Sequence, residues 1–172
     1  MRSSKIAALQ REYLELIDFC REHGQVSFEM YINNTYKKAL LLSAASYFEF
    51  EISAAVHNFA DLTSKSNLEL VSLVDNKAIK RQYHTYFKWD SSNANNFWGL
   101  FGDTFKRKMQ ALIKERKLEE AEVAFLKLGN QRNELVHGNY AEYQLNDTFE
   151  EIYAKYEKAC EFVEFLIQQF QS

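Results

Sequence analysis

The chain has no proline among its 172 residues and only five glycines. Turns between strands lean on these two residue types, so a β-sandwich or barrel of this length is excluded. Low-complexity linkers and disordered tails, which are usually rich in proline, glycine or serine, are disfavoured on the same ground. A hydrophobic share of 47% with 26% charged residues is that of a globular domain large enough to bury a core. The expectation is one all-α domain over residues 1–172, an antiparallel bundle ending in a long C-terminal helix.

Helical periodicity supports this. Ile6, Leu9, Tyr13, Leu16 and Cys20 step by three and four, and Gly24 follows as a stop. A second segment, from about 28 to 62, carries Leu41, Ala45, Phe48, Ile52, Ala55, Phe59 and Leu62. The last opens on a capping-box pattern at Asp147–Glu150 and continues through Ile152, Tyr156, Ala159, Val163, Leu166 and Phe170. Between them the spacing predicts a short helix over 76–88, a loop over 90–96 and a tight aromatic corner over 97–105. Helices over 104–116 and 118–137 follow.

Several functional classes drop out. No run of 18 uninterrupted apolar residues suggests a membrane span, and the charged start is not a signal core. Cys20 and Cys160 are far apart, without CxxC spacing, which predicts a reducing cytoplasm and neither a zinc site nor a disulfide framework. His23, His57 and His84 lack metal-ligand spacing, and no phosphate loop or nucleophile elbow is present. No metal and no cofactor is expected. The net charge of −3 does not advertise a nucleic-acid partner.

One helix breaks its own pattern. Along 118–137 the stripe is Ala121, Phe125, Leu128, Arg132 and Leu135, so a guanidinium occupies a core-seam position. The adjacent row, Leu126, Asn130, Asn133 and His137, turns from apolar to polar. Inward-facing polar groups without partners are costly, and such breaks concentrate at functional sites.

The string Arg132-Asn133-x-x-x-His137-Gly138 resembles the Arg-x(4–6)-His signature of the HEPN superfamily. Leu41-Leu-Ser-Ala-Ala-Ser-Tyr-Phe-Glu49-Phe-Glu51-Ile52 is similar to a helix of its standalone MAE_28990 and RiboL-PSP groups. The segment from Phe97 to Phe105 resembles one often found before the motif helix there. This resemblance implies a metal-independent RNA endonuclease, often from toxin–antitoxin or other prokaryotic defence systems. It also implies a dimer whose motifs meet in one cleft, and possible antitoxin or defence-system partners. The alternative is an inactive HEPN module that binds a protein or nucleotide.

The chemistry suits these residue types. RNA carries its own nucleophile, the 2′-OH; cleavage needs a base, an acid and positive charge for the transition state. Histidine serves as base or acid near neutral pH, and arginine offers a permanent charge with forked donors. Asn133 can hold the phosphate or orient His137, four residues on. Arg132 and His137 diverge by about 140° around a helix, so they would flank a substrate. One histidine in the cluster leaves the acid–base pair incomplete, a further reason to expect a homodimer.

Supporting candidates are Glu49 and Glu51, either of which could pair with Arg132, and Asn130. Glu49 is the one that aligns with the acidic position of the resembling families. Some HEPN toxins carry a modified tyrosine two residues after the histidine; Tyr140 lies one residue farther, which favours a structural place for it. Lys77, Lys80 and Arg81, beside Tyr83, His84, Tyr86, Phe87 and Trp89, could grip and stack single-stranded RNA, and Lys106 and Arg107 form a second basic group.

Overall fold

The amphipathic stripes assemble into a bundle built on one long central helix. The computed structural model describes residues 2–171, and all statements of structure refer to these. Its helices are α1 (Ser4–Glu22), α2 (Val26–Thr63), α3 (Leu68–Val74), α4 (Tyr83–Tyr86), α5 (Asn95–Gly99), α6 (Asp103–Glu115), α7 (Glu119–His137) and α8 (Phe149–Gln169). A π-helical turn, Asp75–Ile79, separates α3 from α4. There is no strand among the described residues.

Ring contacts give the relative directions. Phe48 meets Tyr156 and, one stretch later, Phe59 meets Phe170, with centroids 5.6 and 5.1 Å apart, so α2 and α8 run parallel. Phe125 packs on Phe162 at 5.3 Å while Gln131 reaches back to Asp147, so α7 is antiparallel to α8. Tyr13 of α1 stacks on Phe149 at 3.8 Å, and the Ser3 N–H donates to the Tyr156 hydroxyl at 2.8 Å. The α1 helix therefore also runs against α8, giving an antiparallel bundle.

Most apolar stripe positions are buried, with local departures. In α1 the seam is Ile6, Tyr13, Ile17 and Cys20; Leu16 stays 37% exposed because it lies about 80° around the helix from Ile6, whereas Ile17 lies about 20° from it. Leu62, at the end of α2, is 66% exposed, where the helix outruns its neighbours. By length and composition α2 is apolar enough to cross a membrane; Leu40, Leu41, Ala44, Phe48 and Ile52 are buried in the bundle, while Phe28, Tyr31 and Phe50 stay exposed. The N-cap of α8 is Thr148, not Asp147: Thr148 and Glu151 exchange both bonds of a capping box. Asp147 is drawn away by Lys155, 2.6 Å distant, and by Gln131.

The single helix expected over 76–88 does not form. Asn67 caps α3 by accepting from the Leu70 N–H, so helix begins earlier. It ends in the π-helical turn, and Arg81, at φ +61°, breaks the chain direction before the single turn of α4. The corner over 97–105 does form: Phe97 and Trp98 of α5 are wholly buried. Complete burial of an aromatic side chain of this kind stabilises the fold by about 1.5–3 kcal/mol.

Two polar ties hold this irregular stretch against the bundle, and a third braces it internally. Asp75 accepts from the His57 ring of α2 at 2.7 Å, the Tyr86 hydroxyl donates to the Ala78 carbonyl at 2.7 Å, and the Ala94 N–H donates to Glu122 of α7 at 2.8 Å. Glu122 is buried, and burial pushes its carboxyl above the usual glutamate range; Glu119 adds to this, while the Ala94 bond opposes it. A carboxyl with a raised folded pKa binds protons more readily folded than unfolded. Its stabilising contribution is therefore complete at low pH and lost as pH rises from about 4.3 through the folded value. Glu122→Gln keeps an acceptor for the Ala94 N–H and removes the ionisation. The urea midpoint of the wild type should thus fall relative to this variant as pH rises, and a pH-independent difference would refute the burial account.

Candidate active site

The irregular segment over 81–89 becomes one wall of a cavity whose other walls are α2 and α7. The cavity has a volume of about 510 Å³, within the usual range for a small-ligand site. From α7 it receives Arg132, Asn133 and His137; from α2, Glu49; from the connecting wall, Arg81, Tyr83, His84 and Trp89. Phe48 and Phe125 form its apolar floor, and Val136 lies at its edge.

Arg132 shows how the broken seam is resolved. The apolar stripe positions of α7 (Ala121, Phe125, Leu128 and Leu135) are buried, while Arg132 is half-buried and opens to the cavity. Its guanidinium donates to the Asn133 side-chain carbonyl at 3.1 Å. Among the described residues no carboxylate comes within ion-pair distance of it, so the expected Glu49 or Glu51 pairing is not made. Asn133 thereby serves Arg132 and leaves its own amide N–H groups for a ligand.

His137 ends α7, is exposed, and lines the cavity. Glu49 lies across from α7 beside Tyr83. Burial raises the Tyr83 phenol well above its usual value; the Glu49 charge adds to this and the Arg132 charge opposes it. At neutral pH Tyr83 is therefore a neutral hydrogen-bond donor. Glu51, by contrast, lies off the cavity against Tyr47, whose phenol is raised to about 12 by burial and then by the Glu51 carboxylate.

Two other candidates serve the chain that follows the motif. Asn130 donates to Glu134 at 2.8 Å, and the same carboxylate accepts from the Tyr143 hydroxyl at 2.7 Å. Asn130 therefore shares a row of α7 with Asn133 and His137 but is engaged by Glu134 and does not line the cavity. Tyr140 does not reach the cavity. Its carbonyl accepts from buried Lys38 at 2.7 Å, and its ring lies under the same ammonium at 4.9 Å. Lys37 donates to the Leu145 carbonyl at 2.6 Å, so two α2 lysines tether the loop after His137.

Of the basic groups, only Arg81 lines the cavity. Its left-handed backbone is one that a long side chain holds at a cost of about 1–3 kcal/mol, and such strain clusters at functional sites. Lys77 and Lys80 lie on and just after the π-helical turn, with Lys80 held by Asn76 at 2.8 Å. Lys106 and Arg107 belong to α6, which contributes nothing to the cavity. Of the aromatic residues read as an RNA-stacking group, Tyr86 and Phe87 are core residues, 3% exposed each, while Tyr83 and Trp89 remain at the cavity wall.

The sequence reading took one feature only for part of a stacking group and missed another. The cavity holds a second imidazole, His84, so the cluster is not limited to one histidine per chain. The other feature is Gly129: a Cβ there would lie 2.0 Å from the Trp89 ring. Glycine in mid-helix is the signal that marks such a close approach.

The cavity thus brings two guanidiniums and two imidazoles together against an aromatic wall. A family model described as RiboL-PSP-HEPN matches residues 7–172. No curated protein and no solved structure matches the chain. The match takes in every cavity residue, from Glu49 on α2 to the Arg132–His137 motif that ends α7. The chain belongs to the RiboL-PSP-HEPN family.

Proposed function

We propose that this protein is a metal-independent endoribonuclease that cleaves RNA by attack of the 2′-OH on the adjacent phosphate. The observation that carries this reading is the meeting of Arg132, Asn133 and His137 in one open cavity with a second guanidinium from Arg81. Two guanidiniums against one carboxylate, Glu49, suit an anionic substrate despite the net charge of −3. Screening makes such local charge count for more than the total. Trp89 and Tyr83 offer ring surface for a base.

The reading extends to a homodimer acting in the cytoplasm, within a prokaryotic defence or toxin–antitoxin system and under the control of a partner protein. Exposed Phe50, next to Glu49, and half-exposed Val136, at the cavity edge, are apolar groups that a second copy would cover.

The test is incubation of purified protein with total RNA, with and without EDTA, followed by mapping of the ends. Cleavage that survives the chelator and leaves 2′,3′-cyclic phosphates and 5′-hydroxyls is expected. Loss of activity in EDTA, or 3′-hydroxyl ends, would refute the mechanism.

A further inference from the structure

The Arg-x4-His motif supplies one imidazole, yet cleavage of this kind uses two proton-transfer groups. We propose that His84, with Arg81 beside it, is a second catalytic residue, so that each chain carries a complete acid–base pair in its own cavity. This rests on the ribonuclease reading and deepens it.

The placement comes from the fold. Arg81 and His84 are three residues apart, and the left-handed turn at Arg81 lets both side chains line the cavity that His137 and Arg132 line from α7. The short helix that carries His84 is held through its carbonyls. Asn96 donates to the Thr85 and Tyr86 carbonyls at 3.2 and 2.9 Å, and the Trp89 indole N–H donates to the His84 carbonyl at 3.1 Å. A single turn of helix with this many ties is a rigid platform, as a catalytic side chain requires.

Facing the two imidazoles are Glu49 from α2, Arg132 and Asn133 from α7, and Arg81 and Tyr83 from the wall. The guanidiniums supply charge for the phosphorane-like transition state. One imidazole, unprotonated, takes the 2′-OH proton as O2′ bonds to phosphorus. The other, protonated, gives its proton to O5′ as the P–O5′ bond breaks. The products are a 2′,3′-cyclic phosphate and a 5′-hydroxyl; one proton is taken up and one released, and no co-reactant is consumed.

The experiment measures kcat/KM against pH on an oligoribonucleotide for the wild type, His84→Ala, His84→Gln and His137→Ala. Both His84 variants should fall by about 10²–10⁴-fold and lose one limb of the bell-shaped profile, with unchanged circular dichroism. A substrate with a 5′-thio leaving group needs no acid, and it should restore the rate of one histidine variant and not of the other. Co-expressed His84→Ala and His137→Ala chains should stay inactive, because no chain then holds both imidazoles.

A His84→Ala enzyme that keeps both limbs, or cuts at the wild-type rate while His137→Ala does not, overturns the inference and leaves the ribonuclease reading standing. Activity regained on co-expression overturns the within-chain pairing. Rescue of neither variant by the thio substrate removes the acid–base assignment. A wild type that cuts no RNA removes both readings together.

Discussion

His137→Ala is expected to cut RNA about 10²–10⁴-fold more slowly than the wild type, with an unchanged melting temperature. His137 is exposed at the last position of α7, and among the described residues no side chain or carbonyl bonds to its ring. Surface substitutions of this kind shift stability by no more than about 0.5 kcal/mol. The loss should therefore appear in single-turnover rate and not in folding. Arg132→Lys sets the scale for the other half of the motif. It keeps the charge but loses the fork and the bond to Asn133, and an oxyanion donor of this type is worth about 10²–10³-fold. Wild-type rates for the alanine variant would exclude His137 from proton transfer and return the cavity to a binding role.

In the sequence Arg132 stands out because it violates a periodic rule, and His137 because it completes the Arg-x4-His string. Arg132 occupies a seam position of α7, and a cation there needs a cavity or a partner. The long helices were legible because their stripes repeat over several turns. What lay beyond the sequence was contributed by irregular backbone. The wall over 81–89 depends on a π-helical turn, on Arg81 at φ +61° and on ties such as Ala94 to Glu122, none of which has a period. His84 therefore looked like one of several scattered histidines. The choice between Glu49 and Glu51 was likewise a matter of two residues on one helix. They differ by 200° in direction, and only the position of the wall shows which of them meets the cavity. Asn130 misled because row membership on a helix does not specify a partner: Glu134, one turn on, drew it to the following loop.

Gly129→Ala tests the packing that sets the depth of this cavity, and it should destabilise the protein although alanine is the better helix former. Glycine in a helix interior costs about 1 kcal/mol relative to alanine, so an isolated helix would gain from the change. Here the new Cβ would fall 2.0 and 2.1 Å from two carbons of the Trp89 ring, far inside contact distance. The ring cannot yield by a torsion alone. It packs on Phe87 and Phe125, with centroids 5.0 and 5.7 Å away, and its N–H is tied to the His84 carbonyl. Overpacking of this kind costs about 1–3 kcal/mol, which offsets or exceeds the helix gain. Displacing Trp89 also disturbs the carbonyl that positions His84, so cleavage should fall with stability. A double-mutant cycle isolates the contact. In a Trp89→Leu background the obstruction is relieved, and Gly129→Ala should become neutral or stabilising in urea denaturation, approaching the propensity gain of about 1 kcal/mol. Equal effects of Gly129→Ala in the two backgrounds would mean that the indole does not rest on α7, and that the stacking wall of the cavity stands elsewhere.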